Sequence, residues 1–186
     1  INFCTIWVIG FLVEDVKFST MQTTIDKHGV HRGVFALTAI CVVLASMCTF
    51  LVFFVAPQAG SSGAPENKGW LNGNNMPGLF TRRNLIVRAL CTLLANAAGY
   101  PVGREGPTVT MGSNIAFLIT EALARPYVSQ WVDIENVGSF ASALVIDEER
   151  FAHAKRIVCG VGGACGMAML FDSPIGGIVY MFEEIS

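Results

Sequence analysis

Positions 34–55, VFALTAICVVLASMCTFLVFFV, are apolar and free of charge. Wound as a helix, the stretch rises about 33 Å, enough to cross a hydrocarbon core about 30 Å thick. The pattern therefore predicts a membrane-spanning helix. A secretory leader is a poor reading: the run is too long, lies too far into the chain and is followed by further hydrophobic sequence. Before it, the apolar opening INFCTIWVIGFLV leads into a polar stretch, 14–32, carrying both signs of charge. That stretch predicts an exposed connection with an amphipathic surface helix. After it, APQAGSSGAPENKGWLNGNNMPG is dense in Gly, Pro, Asn and Ser, the composition of turns. Inside a bilayer such backbone must be covered by protein or line a wet cavity.

Two further apolar runs follow, NLIVRALCTLLANAAGYPV with Arg88 inside it and PTVTMGSNIAFLITEALA. Both mix small and polar residues into the apolar pattern, as helices packed against other helices do, so both read as interior helices. Residues 126–150 form the longest non-membranous stretch and read as a surface connection. From Phe151 the chain turns apolar again, with Gly162 and Gly166 in a GxxxG spacing, and Ser173-Pro174 opens a last short helix ending in Glu183-Glu184. The fold class predicted is all-α and polytopic. Because the chain starts at Ile1 inside an apolar run and stops just after the glutamate pair, it reads as a fragment cut at both ends.

Composition sharpens the membrane reading. Hydrophobic residues make up 53% of the 186 and charged residues 14%, with a mean hydropathy of +0.55, whereas soluble domains carry about 25% charged residues. A net charge of −2 without a Lys/Arg cluster excludes a nucleic-acid partner. The six cysteines never form CxxC and the three histidines have no ligand spacing to one another or to a cysteine, so neither a zinc site, nor a disulfide framework, nor any other cofactor is expected. The cysteines read as small packing residues. A membrane enzyme using the carboxylates is disfavoured because no nucleophile and base pair or nucleotide loop accompanies them.

The candidate chemistry lies at three prolines, Pro65, Pro107 and Pro174, each placed to start a helix. Helices that start inside a membrane protein direct free N–H groups and a partial positive charge inward, which suits an anion. The competing reading is a helix start at the membrane surface. Two of the prolines keep telling company: Ser61, Ser62 and Gly63 precede Pro65, and Gly103, Arg104, Glu105 and Gly106 precede Pro107. Glycine allows close approach to the backbone, and a serine hydroxyl donates without adding charge. The pattern outlines a dehydrated halide site. Carboxylates within a membrane segment point by default to a proton relay, which draws in Glu105 and the pair Glu183-Glu184; the alternative for the pair is a solvated helix end.

GREGP followed by TVTMGSNIA, the upstream GSSGAPE and the downstream SPIGGIVYMFEE stand in the order and spacing of the CLC chloride channel and transporter family. The chain resembles the first half of that family's membrane domain, from the long span to Ser186, with residues 126–150 and the polar front matched loosely. The resemblance implies a homodimer in the lipid bilayer with one anion pathway per subunit, built from two inverted repeats of which about one is present. It implies chloride as the bound ion, with Ser62, Gly63 and Ala64 at the anion site. Where the family commonly reads GSGIP, this chain reads GSSGAP. By the same resemblance Glu105 is the gating glutamate, flanked by Arg104 and Gly106. Glu184 is the internal proton acceptor found in exchangers, which favours a chloride/proton antiporter over a passive voltage-gated chloride channel. Serine at position 62, where proline would imply nitrate, points to chloride.

Overall fold

The computed structural model describes residues 2–131 and 140–185, with side-chain surroundings described for residues 7–123 and 151–183. The described residues are helical and contain no strand. In chain order, α1 (Asn2–Phe11) widens into a π-type stretch, Leu12–Phe18, and continues as α2 (Ser19–His28). Gly29, at φ +90°, ends α2, and α3 (Val30–Phe50) runs on through a second π-type stretch, Leu51–Val55. A 3-10 turn, Pro57–Gly60, leads to α4 (Ala64–Leu71), followed by α5 (Arg82–Ala98), α6 (Glu105–Trp131), α7 (Phe140–Phe171) and α8 (Pro174–Ile185).

Among the described residues, two stretches are long and apolar enough to cross a membrane, Val30–Val55 and Phe151–Phe171. The first is the span expected from the apolar run. Its Phe35, Phe50, Phe53 and Phe54 are all exposed in the isolated chain, the pattern of a surface that meets lipid. The expected amphipathic surface helix corresponds to α2. Within 126–150 the described residues are helical, 126–131 as the end of α6 and 140–150 as the start of α7; residues 132–139 lie outside the described part.

The chain divides into two compact units, one of residues 1–61 and 86–104, the other of residues 62–85 and 105–186. The first is held by a small apolar core of Ala56, Ala59, Val87 and Cys91, against which Cys48, Leu51, Val52 and Val55 pack. Lys17 crosses to the end of α5, where its ammonium donates to the carbonyls of Ala97 and Ala98 at 3.5 and 3.4 Å, satisfying acceptors that every helix end leaves open.

The second unit is built on an antiparallel pair, α6 and α7, that meet on small residues. Gly112 lies against the Gly162 carbonyl, and Gly166 against Thr108 and Val109. A β-carbon at Gly162 would sit 2.5 Å from the Gly112 carbonyl oxygen, and one at Gly166 would sit 2.7 Å from that of Thr108. Backbone meets backbone there, so the GxxxG is a packing surface for α6. α8 returns along α7, with Gly177 against Ala164 and Ala168. α4 packs on α6, α7 and α8, fastened by the Asn67 amide donating to Ser113 Oγ at 3.1 Å and Ser113 donating to the Cys159 carbonyl at 2.9 Å.

Candidate functional site

All three expected helix starts are present, with Pro65 second in α4, Pro107 third in α6 and Pro174 first in α8. Gly63 makes the turn into α4 with φ +79° and ψ −8°, a left-handed conformation that glycine adopts without strain. Its carbonyl accepts the Asn67 N–H at 2.8 Å, and Ser62 Oγ accepts the Ala64 N–H at 3.4 Å. The hydroxyl proton of Ser62 is left to be donated elsewhere.

The second motif comes to the first. A β-carbon on Gly106 would stand 2.7 Å from Ser62 Cβ, 3.1 Å from Ser62 Oγ and 3.6 Å from Ala64 Cβ. Thr110, fully buried, joins the two segments through one hydroxyl, donating to the Gly106 carbonyl at 2.9 Å and the Ser62 carbonyl at 3.3 Å. Thus Ser62 and Ala64 meet Gly106, more than 40 positions further along the chain, in one cluster at the N-termini of α4 and α6. Glu105 is the first residue of α6 and is exposed, as is Ser62. Two helix N-termini beside an open hydroxyl make a favourable place for an anion, whether a free ion or a carboxylate.

The third helix start lies at the same end of the unit. α4 and α6 run side by side, Ser62 meeting Gly106 and Asn67 meeting Ser113; α6 and α8 both run opposite to α7. The starts of α4, α6 and α8 therefore all face the C-terminal end of α7. At α8 the Ser173 hydroxyl accepts the Gly176 N–H at 3.2 Å, an N-cap. Glu183 and Glu184 occupy the last turn of α8, about 15 Å along the helix from Pro174. Glu183 is exposed, and the side chain of Glu184 lies outside the described residues. The fold thus brings Gly106, the residue after Glu105, against Ser62 and sets the Glu183-Glu184 pair at the far end of α8.

The family model described as voltage gated chloride channel matches residues 21–186. The chain belongs to the voltage-gated chloride channel family. Its match begins within α2, earlier than the long apolar span from which the resemblance was traced. Among relatives of this channel-family chain, chloride channel protein CLC-a of Arabidopsis thaliana is 30% identical over 96% of the chain, and CLC-c of the same plant is 29% identical over 95%. H(+)/Cl(−) exchange transporter 7 of Bos taurus is 27% identical over 97% of the chain. The chain spans 21–22% of the length of these relatives. Family membership makes it a membrane protein.

One residue of this channel-family chain was passed over as part of an apolar helix. Arg88 is only 2% exposed, and its guanidinium donates to the carbonyls of Ser61 at 2.8 Å and Gln58 at 2.9 Å. The peptide that joins Ser61 to Ser62 is trans, so its C=O and N–H point in opposite directions. By holding the Ser61 carbonyl, Arg88 also sets the direction of the Ser62 N–H. The signal was in the sequence: an arginine inside an otherwise uncharged run, which in a membrane segment is costly and marks function.

Proposed function

We propose that the protein to which this chain belongs moves chloride across a membrane as a chloride/proton antiporter. The observation that carries this is the meeting of Ser62 with Gly106, which sets the Ser62 hydroxyl at the N-termini of two helices, the second of them opened by the gating candidate Glu105. In this reading Ser62, Gly63 and Ala64, with the backbone of Arg104 and Gly106, receive chloride. The Glu105 carboxylate competes with chloride for the same place. Protonation neutralises Glu105 and lets it leave, so one side chain couples two ions. Glu184 passes protons to and from the opposite side of the membrane, at the other end of α8. The names of the relatives support both ion pairings, since some are called chloride channels and others H(+)/Cl(−) exchange transporters. The chain is then about one repeat of a multi-pass, inverted-repeat membrane domain that works as a homodimer.

The deciding experiment uses the full-length protein in chloride-loaded liposomes, with an imposed chloride gradient, matched pH and a potassium ionophore clamping the voltage. Internal pH should change as protons move against their own gradient, and that movement should vanish in Glu184→Ala. Chloride flux without proton movement would establish instead a passive channel of the same fold.

A further inference from the structure

In the core of the first unit, Cys48 of α3 and Cys91 of α5 face each other. The Cys48 thiol donates to the Cys91 carbonyl at 3.7 Å, and the Cys91 thiol donates to the Cys48 carbonyl at 3.7 Å. These reciprocal contacts bring Cys48 and Cys91 against each other where α3 meets α5. Both are free thiols; Cys91 is 7% exposed and Cys48 is partly exposed. Their surroundings are apolar, Ala56, Ala59 and Val87, and α3 presents exposed Met47 and Phe50 on either side of Cys48. A reagent reaching the pair would come through the lipid rather than through water.

We propose that Cys48 and Cys91 are a redox-active pair that closes to a disulfide on reaction with a membrane-soluble hydroperoxide. Cys48, the more accessible, is oxidised first: its sulfur takes one oxygen from the O–O bond, giving a sulfenic acid and releasing an alcohol. The Cys91 sulfur then attacks the Cys48 sulfur, the S–S bond forms and water leaves. Two thiols and one hydroperoxide thus give one disulfide, one alcohol and one water, with two electrons passing from the sulfurs to the peroxide.

The position of the bond gives it a consequence. Cys91 lies one turn beyond Arg88 on α5, and Cys48 lies one turn before the π-type stretch that leads to Pro57–Gly60 and Ser61. Closing the disulfide ties α5, which carries Arg88, to α3, which runs on into the segment whose carbonyls Arg88 holds. It therefore restrains the backbone that delivers Ser62.

The test treats the full-length protein in liposomes with tert-butyl hydroperoxide, then alkylates and digests it without reduction for mass spectrometry. The expected product is a linked peptide holding Cys48 and Cys91, two hydrogens lighter than its parts and released by dithiothreitol. Recovery of both cysteines alkylated, or of Cys48 over-oxidised without a link, would overturn the proposal. The effect on flux rests on the chloride-transport reading, whereas the linkage does not. Chloride flux should fall severalfold on treatment, recover with dithiothreitol and stay unchanged through treatment in Cys48→Ala. A linked peptide with undiminished flux would overturn the restraint on Ser62.

Discussion

Glu105 opens a 27-residue helix with its side chain exposed, where the partial positive charge of the helix end favours a carboxylate. On the proposed mechanism, replacing it by alanine removes the competitor for that place and the proton carrier together. Glu105→Ala should retain chloride flux, lose proton coupling and show a flux flat with pH, measured in the same liposomes. Ser62 depends on a residue that makes no direct claim on the anion. Arg88→Met removes the two bonds that its guanidinium makes to the carbonyls of Ser61 and Gln58, each worth about 0.5–3 kcal/mol, and frees the Ser62 amide to turn. Chloride affinity by isothermal titration calorimetry should fall roughly tenfold, equivalent to about 1.4 kcal/mol, while Arg88→Lys, which keeps a donor, should recover part of it. An unchanged affinity in Arg88→Met would remove Arg88 from the site. The motifs around Ser62 and Glu105 were legible because glycine, proline and serine at fixed spacing speak directly about backbone and donors. The role of Arg88 was not, because it acts through a carbonyl 27 positions away.

The antiparallel pair α6 and α7 carries the second unit, and it does so through glycines whose side-chain space is filled by the other helix's backbone. Gly166→Val should prevent the close approach. Overpacking a core costs roughly 1–3 kcal/mol where side chains can yield, and here the obstacle is the backbone near Thr108 and Val109. The expected result is loss of the monodisperse peak on size exclusion in detergent, with no gain on lowering the temperature. Gly176→Ala is the contrast, since its nearest neighbour is the Ser173 hydroxyl at 3.3 Å; it should leave the peak in place. The GxxxG announced a helix-packing surface, but a spacing names no partner. That Gly162 and Gly166 receive α6, and that Ser113 ties α4 to α7 at the same level, emerges only when the helices are assembled.

For the whole molecule, the separation of the two glutamate sites along α8 matters most. In the proposed antiporter, a gate at Glu105 and a proton donor at Glu184 would let chloride and protons enter by different routes on one side and meet at Glu105. Glu184→Ala should therefore abolish proton movement while chloride still passes, read as a pH trace that goes flat under an undiminished chloride current. Equal loss of both fluxes from a folded variant would count against a separate proton route. The family match over residues 21–186 sets these helices in a protein of which relatives are about five times as long, so each of these tests uses the full-length protein.

By itself the sequence determined the membrane setting, the long span ending at Val55, the three helix starts and the family. All of these follow from local composition, from proline's fixed backbone angle and from motif order. Tertiary structure alone decided which starts come together. Ser62 meets Gly106 because Gly106 has no side chain and Thr110 bonds both segments, and the three helix starts share one end because α7 runs against α6 and α8. Such contacts join residues far apart in sequence, and no local pattern encodes the partner of a small residue.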